Sequence, residues 1–237
     1  MVTAAQLEAG VDSILAQSWD ERDGKVVPET EDVALAGGAV KLDATILYAD
    51  MAKSTILAWK FDARTAARVM KSFLYCASRL ITDNGGEIRS FDGDRVMGIF
   101  VEGTKNSNAA KTALHIKYAV DQIIKPKVEK RYPSLAAAGW VLAHGVGIDT
   151  SATYAVRAGM RGSNDLIWIG RAAGIGAKLS SIRETNYRSY ITEDVYNRLL
   201  DPSKYKDAAT KSGNMWEPMA TKQYGLTIYR SSYHWKP

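Results

Sequence analysis

The sequence is poor in cysteine: of 237 residues, only Cys76 is one. A lone thiol excludes a disulfide framework and the zinc sites that draw their ligands from several cysteines. Cys76 falls on the apolar face of an expected helix, where it reads as an inert core thiol. Long apolar runs are missing too, and a membrane-crossing helix needs about 18 or more apolar residues in a row. The start, Met1-Val2-Thr3-Ala4-Ala5-Gln6-Leu7-Glu8, lacks the basic and apolar segments of a signal peptide. A soluble, cytoplasmic protein with no membrane partner is the expectation. Dense Lys/Arg blocks and basic-aromatic stripes are absent, so no nucleic-acid partner is expected. The three histidines form no Ser-His-Asp or Cys-His nucleophile set. His115 on a helix and His144 in a strand read as structural, and His234 as an exposed terminal residue. There is no internal repeat and no low-complexity tract.

What is present is apolar material: 46% of the residues, enough for a sizeable core. The organisation expected is an N-terminal helix and arm over residues 1–40 and one main domain over 41–237, with a C-terminal extension. The net charge of +5 suits an anionic partner such as a nucleoside triphosphate.

Helical spacing of Leu7, Val11, Ile14 and Leu15 predicts a helix from Ala4 to Gln17. The stretch from Trp19 to Gly38 reads as an irregular arm. A strand is expected over Ala44–Ala49, with Ile46, Tyr48 and Asp50 on one face. A long helix follows from Asp62 to Thr82, ended by Asn84-Gly85-Gly86. Glu87–Phe91 and Val96–Val101 flank Asp92-Gly93 as a hairpin. A second helix is expected from Ser107 to Ile124, stopping before Pro126. Strands are expected at Trp140–Ile148, Thr153–Arg157 and Leu166–Ile169, and a helix from Arg171 to Ile182. The tail adds a strand at Ser189–Ile191, a helix at Glu193–Leu200 and a strand at Leu226–Tyr229. The order predicts an α+β fold, a split βαβ (ferredoxin-like) core with helices on one face of a largely antiparallel sheet.

Two segments carry chemistry. Leu47-Tyr48-Ala49-Asp50-Met51-Ala52-Lys53-Ser54-Thr55 is an apolar strand ending in a carboxylate, then a small-residue turn into a helix. Phe91-Asp92-Gly93-Asp94-Arg95 is a hairpin tip with another carboxylate. A nucleotidyl-transfer site that uses two metal ions needs two fixed aspartates and backbone N–H groups for phosphate. Asp50 alone also fits a helix N-cap, and Asp92, in an Asp-Gly pair, fits a turn. Tyr48 reads either as core or as a base or ribose contact. Lys178 and Arg89 read either as phosphate or substrate contacts or as solvated charges.

From Ala44 to about Leu200 the chain resembles the catalytic domain of class III nucleotide cyclases. The resemblance rests on Tyr48-Ala49-Asp50-Met51, Gly85-Gly86-Glu87, Gly93-Asp94-Arg95-Val96-Met97-Gly98-Ile99-Phe100, His144-Gly145-Val146-Gly147-Ile148-Asp149-Thr150 and Trp168-Ile169-Gly170-Arg171-Ala172-Ala173. It implies a class III cyclase fold and a homodimer with active sites shared between protomers. It also implies two Mn²⁺ or Mg²⁺ ions per site, held by Asp50, Asp94 and the carbonyl of Met51, with Ala52, Lys53, Ser54 and Thr55 around the triphosphate. The residues that read a purine in that family are replaced here by Ser90 and Ile167, and its asparagine and arginine by Gly174 and Lys178. Lysine keeps the charge and loses the bidentate fork.

Within the class, the chain is most similar to the pyrimidine cyclases of the Pycsar anti-phage system. That likeness lies in Leu47–Ala52, in Arg89-Ser90-Phe91-Asp92-Gly93-Asp94-Arg95, and in Arg161-Gly162-Ser163-Asn164-Asp165-Leu166-Ile167-Trp168. It implies synthesis of cyclic UMP or cyclic CMP, with conversion of UTP to cyclic UMP and pyrophosphate the first choice, and a product acting on a separate effector. Tyr48, Arg89 and Ser90 are expected substrate contacts, Tyr48 at the base or ribose, and Lys178 the cation beside the reacting phosphate. The alternatives are a cytidylate cyclase, a purine cyclase, and a catalytically weak nucleotide-binding regulatory module. A diguanylate-type synthase also uses a split βαβ core, but the sequence lacks its Gly-Gly-Asp-Glu-Phe hairpin.

Overall fold

In the computed structural model, which describes residues 1–101 and 103–237, the chain opens with helix α1 (Ala4–Leu15). Thr3 and Gln6 close a capping box at its start. None of its residues is buried, and its apolar stripe of Leu7, Val11 and Ile14 faces solvent. The arm that follows is more regular than expected. Strand β1 (Asp20–Asp23) pairs in parallel with the first residues of β2 (Gly38–Ala52), from Asp20 opposite Gly38 to Asp23 opposite Lys41. The division at residues 40 and 41 therefore falls inside a strand.

Helices α2 (Ser54–Lys60) and α3 (Ala63–Asp83) come next, α3 capped by the Asp62 carboxylate on Thr65 N–H. Strands β3 (Glu87–Asp92) and β4 (Arg95–Val101) form the expected hairpin. Helix α4 (Lys105–Tyr118) does not stop before Pro126. A π-helical turn (Ala119–Ile124) carries it into α5 (Lys125–Arg131). Pro126 lies in the first turn of α5, where a missing N–H is tolerated. Helix α6 (Pro133–Ala137) follows.

The two strands expected over Trp140–Arg157 are one, β5 (Ala143–Met160). Asp149, Thr150 and Ser151, which lie between those two expected strands, sit in the ladder opposite Ile46, Thr45 and Ala44. The buried Asp149 carboxylate is satisfied there by Arg171 and Thr192, so a polar residue continues the strand. The chain goes on through β6 (Ser163–Ile169), α7 (Arg171–Ser180) and β7 (Ser189–Thr192). The single helix expected at Glu193–Leu200 is α8 (Glu193–Asn197), followed by a separate turn, α9 (Asp201–Lys204), with Pro202 in its first positions. Strands β8 (Tyr205–Asp207) and β9 (Ser212–Asn214) pair as a small ribbon. Strands β10 (Glu217–Pro218) and β11 (Ile228–Ser231) return to the main sheet.

That sheet runs β10-β11-β7-β5-β2-β4-β3, with β1 on β2 and β6 on β5. All its pairings are antiparallel except β1 with β2 and β5 with β7. The helices were expected on one face and occupy both. Leu47, Ala49 and Met51 of β2 meet α3 and α4, in one core with Phe73, Ile81 and Leu114. Ala44 and Ile46 face the other way, onto Val27 and Val33 of the arm and Ala172 and Ala173 of α7. A strand covered on both sides needs a mainly apolar run without alternation, and Ala44–Ala49 is such a run apart from Thr45, whose hydroxyl is paired with Asn106 and Thr150. Cys76 is half-buried and lines a groove of about 590 Å³ between α3 and α5, so it is not a core thiol.

Candidate active site

Strand β2 brings Tyr48 and Asp50 to one end of the sheet. The β3–β4 loop brings Asp94 to the same end, because Asp50 pairs with Arg95. Gly93, at φ +62°, takes the left-handed first position of this two-residue hairpin loop. A Cβ there would meet nothing within 4 Å, so the backbone conformation alone calls for glycine.

The Asp50 carboxylate is partly buried, and burial raises its pKa from its ordinary value. The Asp94 charge raises it further, and the Arg183 guanidinium opposes the rise. Arg183 Nη2 donates to Asp50 Oδ2 at 2.5 Å. Asp94 is the reverse case: its Oδ2 is buried with no hydrogen-bond partner. A buried acceptor without a donor is costly unless a ligand completes it. Two neighbouring carboxylates, one of them incomplete, form a donor set suited to a hard divalent cation. Among the described residues no group of three or more His, Cys, Asp or Glu side chains surrounds such a point, so main-chain, substrate or water oxygens must supply the remaining ligands.

The other expected residues divide. Tyr48 lies on the Asp50 face of β2, half-buried, with the Arg95 guanidinium 5.5 Å from its ring centre. Burial raises its phenol pKa, so the hydroxyl stays protonated. Asp92 accepts from Arg95 at 2.7 Å and is thereby tied into the turn. Met51 is buried, in register with His144. Ala52 ends β2. Lys53 adopts a left-handed conformation at φ 61°, and Ser54 and Thr55 open α2. The Lys53 carbonyl accepts from Trp140 Nε1 at 3.1 Å, which pins this turn. Arg89, expected at the substrate, has other partners: Glu29 at 2.9 Å, Glu87 at 2.6 Å and the Val27 carbonyl. It fastens the N-terminal arm to β3. Ser90 is exposed, opposite Met97.

Ile167 and Lys178 do not join Asp50 within one chain. Ile167 pairs with Val156, whereas Asp50 pairs with Gly145. Those two β5 positions are eleven residues apart, roughly 36 Å of strand. Lys178 is exposed on α7, its Nζ 4.7 Å from the ring centre of Tyr224.

Sequence reasoning missed Arg183 and the two glycines that admit it. Gly145 and Gly147 alternate on the face of β5 beneath α7. A Cβ at Gly147 would lie 2.2 Å from the Gly176 carbonyl, and one at Gly145 would lie 2.7 Å from Arg183 Nη1. The Gly-x-Gly alternation was a visible sign of a close helix-strand contact. Nothing in the local sequence Ser181-Ile182-Arg183-Glu184 pointed to Asp50.

Three curated proteins align with nearly the whole chain. A uridylate cyclase of Rhodovulum sp. (strain MB263) is 46% identical over 221 residues, 92% of this chain and 91% of the relative. The chain belongs to the uridylate cyclase family. Another member, from Xanthomonas perforans, is 41% identical over 92% of both chains. A third, from Burkholderia cepacia, is 40% identical over 99% of both. No family model matches the sequence.

Solved structures place the family's fold. A bacterial light-regulated adenylyl cyclase superposes with a TM-score of 0.68 at 19% identity, over 83% of this chain and 53% of that one. The guanylyl cyclase Cya2 gives 0.63 at 15% identity, over 83% and 95%. The adenylyl cyclase CyaB from P. aeruginosa gives 0.59 at 20% identity, over 81% and 95%. The fold is that of the class III cyclases, with a mostly antiparallel sheet and packed helices.

Proposed function

We propose that this protein converts UTP to 3′,5′-cyclic UMP and pyrophosphate. The observation that carries the reading is the 46% identity to a uridylate cyclase over 92% of the chain, together with the juxtaposed Asp50 and Asp94. In the reaction the ribose 3′-oxygen attacks the α-phosphorus, the bond from that phosphorus to the pyrophosphate oxygen breaks, and the 3′-hydroxyl proton passes to solvent. The nucleophile belongs to the substrate, so the protein's part is positioning and charge stabilisation.

Asp50 and Asp94, with the Met51 carbonyl, would hold two Mn²⁺ or Mg²⁺ ions. Such ions acidify a bound hydroxyl and neutralise phosphate charge. Asp50 and Asp94 serve by holding the ions in fixed positions. The pinned turn from Ala52 to Thr55 offers main-chain N–H groups to the phosphates. Tyr48, held by its packing under α7 and by Arg95, presents a ring and a protonated hydroxyl on the Asp50 face. A one-ring base leaves room for that ring. Ser90 lies on the same hairpin as Asp94 and reads as a further contact.

The working unit in this reading is a homodimer with shared sites. The roughly 36 Å of β5 between the Asp50 and Ile167 positions supports it, as do the exposed apolar side chains Met160, Ile167 and Ile169 on the β5–β6 hairpin. Lys178 would then serve the partner's reacting phosphate. No helix among the described residues is long and apolar enough to cross a membrane. In this reading the enzyme is cytoplasmic and draws on the UTP pool. The product would act on a separate effector in anti-phage defence, the setting of the pyrimidine cyclases the sequence resembles. Purified protein given Mn²⁺ and UTP should release pyrophosphate and a cyclic nucleotide in equal amounts; pyrophosphate without a cyclic product, or neither, overturns the reading.

A further inference from the structure

We propose that Arg183 is a resident counter-cation of the Asp50–Asp94 site: its guanidinium holds Asp50 in the free enzyme, gives way to the divalent cation, and then binds the substrate's triphosphate. The proposal rests on the metal reading above and adds a residue to it.

The geometry is specific. Nη2 of Arg183 lies 2.5 Å from Asp50 Oδ2. Its Nη1 donates to the carbonyls of Ser180 at 2.5 Å and Ile182 at 3.1 Å. The guanidinium crosses β5 at Gly145, the residue paired with Asp50, through space that a Cβ would take. The backbone is thus shaped to seat this cation beside the first carboxylate. Arg183 supplies the only hydrogen bond to the Asp50 carboxylate among the described residues.

The other arginine-aspartate contact on this face shows the difference. Asp149 is fully buried and accepts from Arg171 twice and from Thr192, and Arg171 also reaches Asp194 and the Thr150 carbonyl. That network is saturated and structural. Asp50 has one partner, and the Arg183 side chain is 36% exposed, so it has water to move into. Arg183 occupies Oδ2 of Asp50, and a guanidinium and a divalent cation held on one carboxylate repel each other. In this proposal, metal uptake displaces Arg183. Its anchors on the Ser180 and Ile182 carbonyls keep the freed cation at the mouth of the site, where a triphosphate is the strongest anion to meet it. A guanidinium suits phosphate oxygens through its planar fork.

The proposal predicts opposite signs for two affinities. In Arg183→Gln, which keeps donors for the two carbonyls and loses the charge, Mn²⁺ should bind the nucleotide-free protein about three- to tenfold more tightly, read by the loss of the free-ion EPR signal. The same variant should bind 3′-deoxy-UTP, which cannot cyclise, about tenfold more weakly in Mn²⁺, read by calorimetry. Arg183→Lys should fall between on both scales, and it carries the test if the glutamine variant fails to fold. A merely structural arginine would weaken both affinities or neither. Equal Mn²⁺ affinity in wild type and variant, with binding that still requires Asp94, overturns the proposal and leaves the metal reading standing. Mn²⁺ binding that Asp94→Asn does not reduce, or no binding at all, overturns the metal reading and the proposal with it.

Discussion

Gly147 lies beneath α7 and Gly174 on the exposed side of that helix, and the same substitution at each should have opposite effects. A Cβ at Gly147 would sit 2.2 Å from the Gly176 carbonyl oxygen, 2.3 Å from Ser180 N and 2.7 Å from Leu179 Cβ. Two of these atoms are helix backbone, so no flexible side-chain end can yield. To restore ordinary contact, α7 must retreat by roughly 1 Å from β5, which undoes its packing along that strand. Overpacking of this kind costs about 1–3 kcal/mol, and backbone neighbours put Gly147→Ala at the upper end. For a domain of this length, about 3 kcal/mol lowers Tm by roughly 6–12 °C. At Gly174 a Cβ meets nothing within 4 Å, and the residue is an exposed position inside α7. Gly174→Ala should stabilise by about 0.5–1 kcal/mol, the helix-propensity difference. Circular-dichroism melts and urea titrations of the two variants beside wild type provide the assay. Because Arg183 follows directly on α7, Gly147→Ala should also lower turnover, even at a temperature where it stays folded. Equal shifts in Tm for the two variants, or a Gly147→Ala protein as stable as wild type, would refute the close-contact reasoning.

Asp50→Ala and Asp94→Ala should each reduce pyrophosphate release by at least about 100-fold, and excess chelator should do the same to wild type; residual activity within tenfold of wild type contradicts their assignment. Mixing the inactive Asp50→Ala chain with an inactive Lys178→Ala chain should restore activity through one intact site per mixed dimer, and no recovery in verified heterodimers argues against shared sites. His144 is fully buried, both ring nitrogens lack partners, and burial depresses its pKa to about 3. The unfolded chain takes up this proton first, so the stability is complete above the ordinary histidine range and is lost as the pH falls toward about 3. Between pH 7 and pH 4 the loss should be about 3 kcal/mol, and urea titrations of His144→Leu should show that much less acid sensitivity; an unchanged pH dependence contradicts it.

Much of the fold was legible because its elements carry strong local patterns. The 3.6-residue stripe of α3, the Asn84-Gly85 stop and the Asp92-Gly93 hairpin signal all led to the elements observed. The misses have physical reasons. Strand β5 looked broken because its middle is Asp149-Thr150-Ser151, and the partners that make those residues tolerable, Arg171 and Thr192, are distant in sequence. Pro126 read as a terminator because a π turn that accommodates it leaves no local signature. Strand β1 was hidden because all four of its residues are charged, and only its pairing with β2 makes it a strand. At the site, Asp50 and Asp94 could be paired from sequence because a strand end and a hairpin tip are local features. Arg183 could not, since its place is set by the tertiary approach of α7 across two glycines. Arg89 stands in a motif yet serves the arm, which shows that a residue's place in a motif does not fix its partner.

The central claim is that this chain cyclises UTP, and the most direct test is product identification with all four ribonucleoside triphosphates competing. Purified protein with Mn²⁺ and equal concentrations of ATP, GTP, CTP and UTP should yield cyclic UMP as the predominant cyclic product by mass spectrometry. Predominant cyclic AMP or cyclic GMP would contradict the pyrimidine assignment, and predominant cyclic CMP would contradict the choice of uracil.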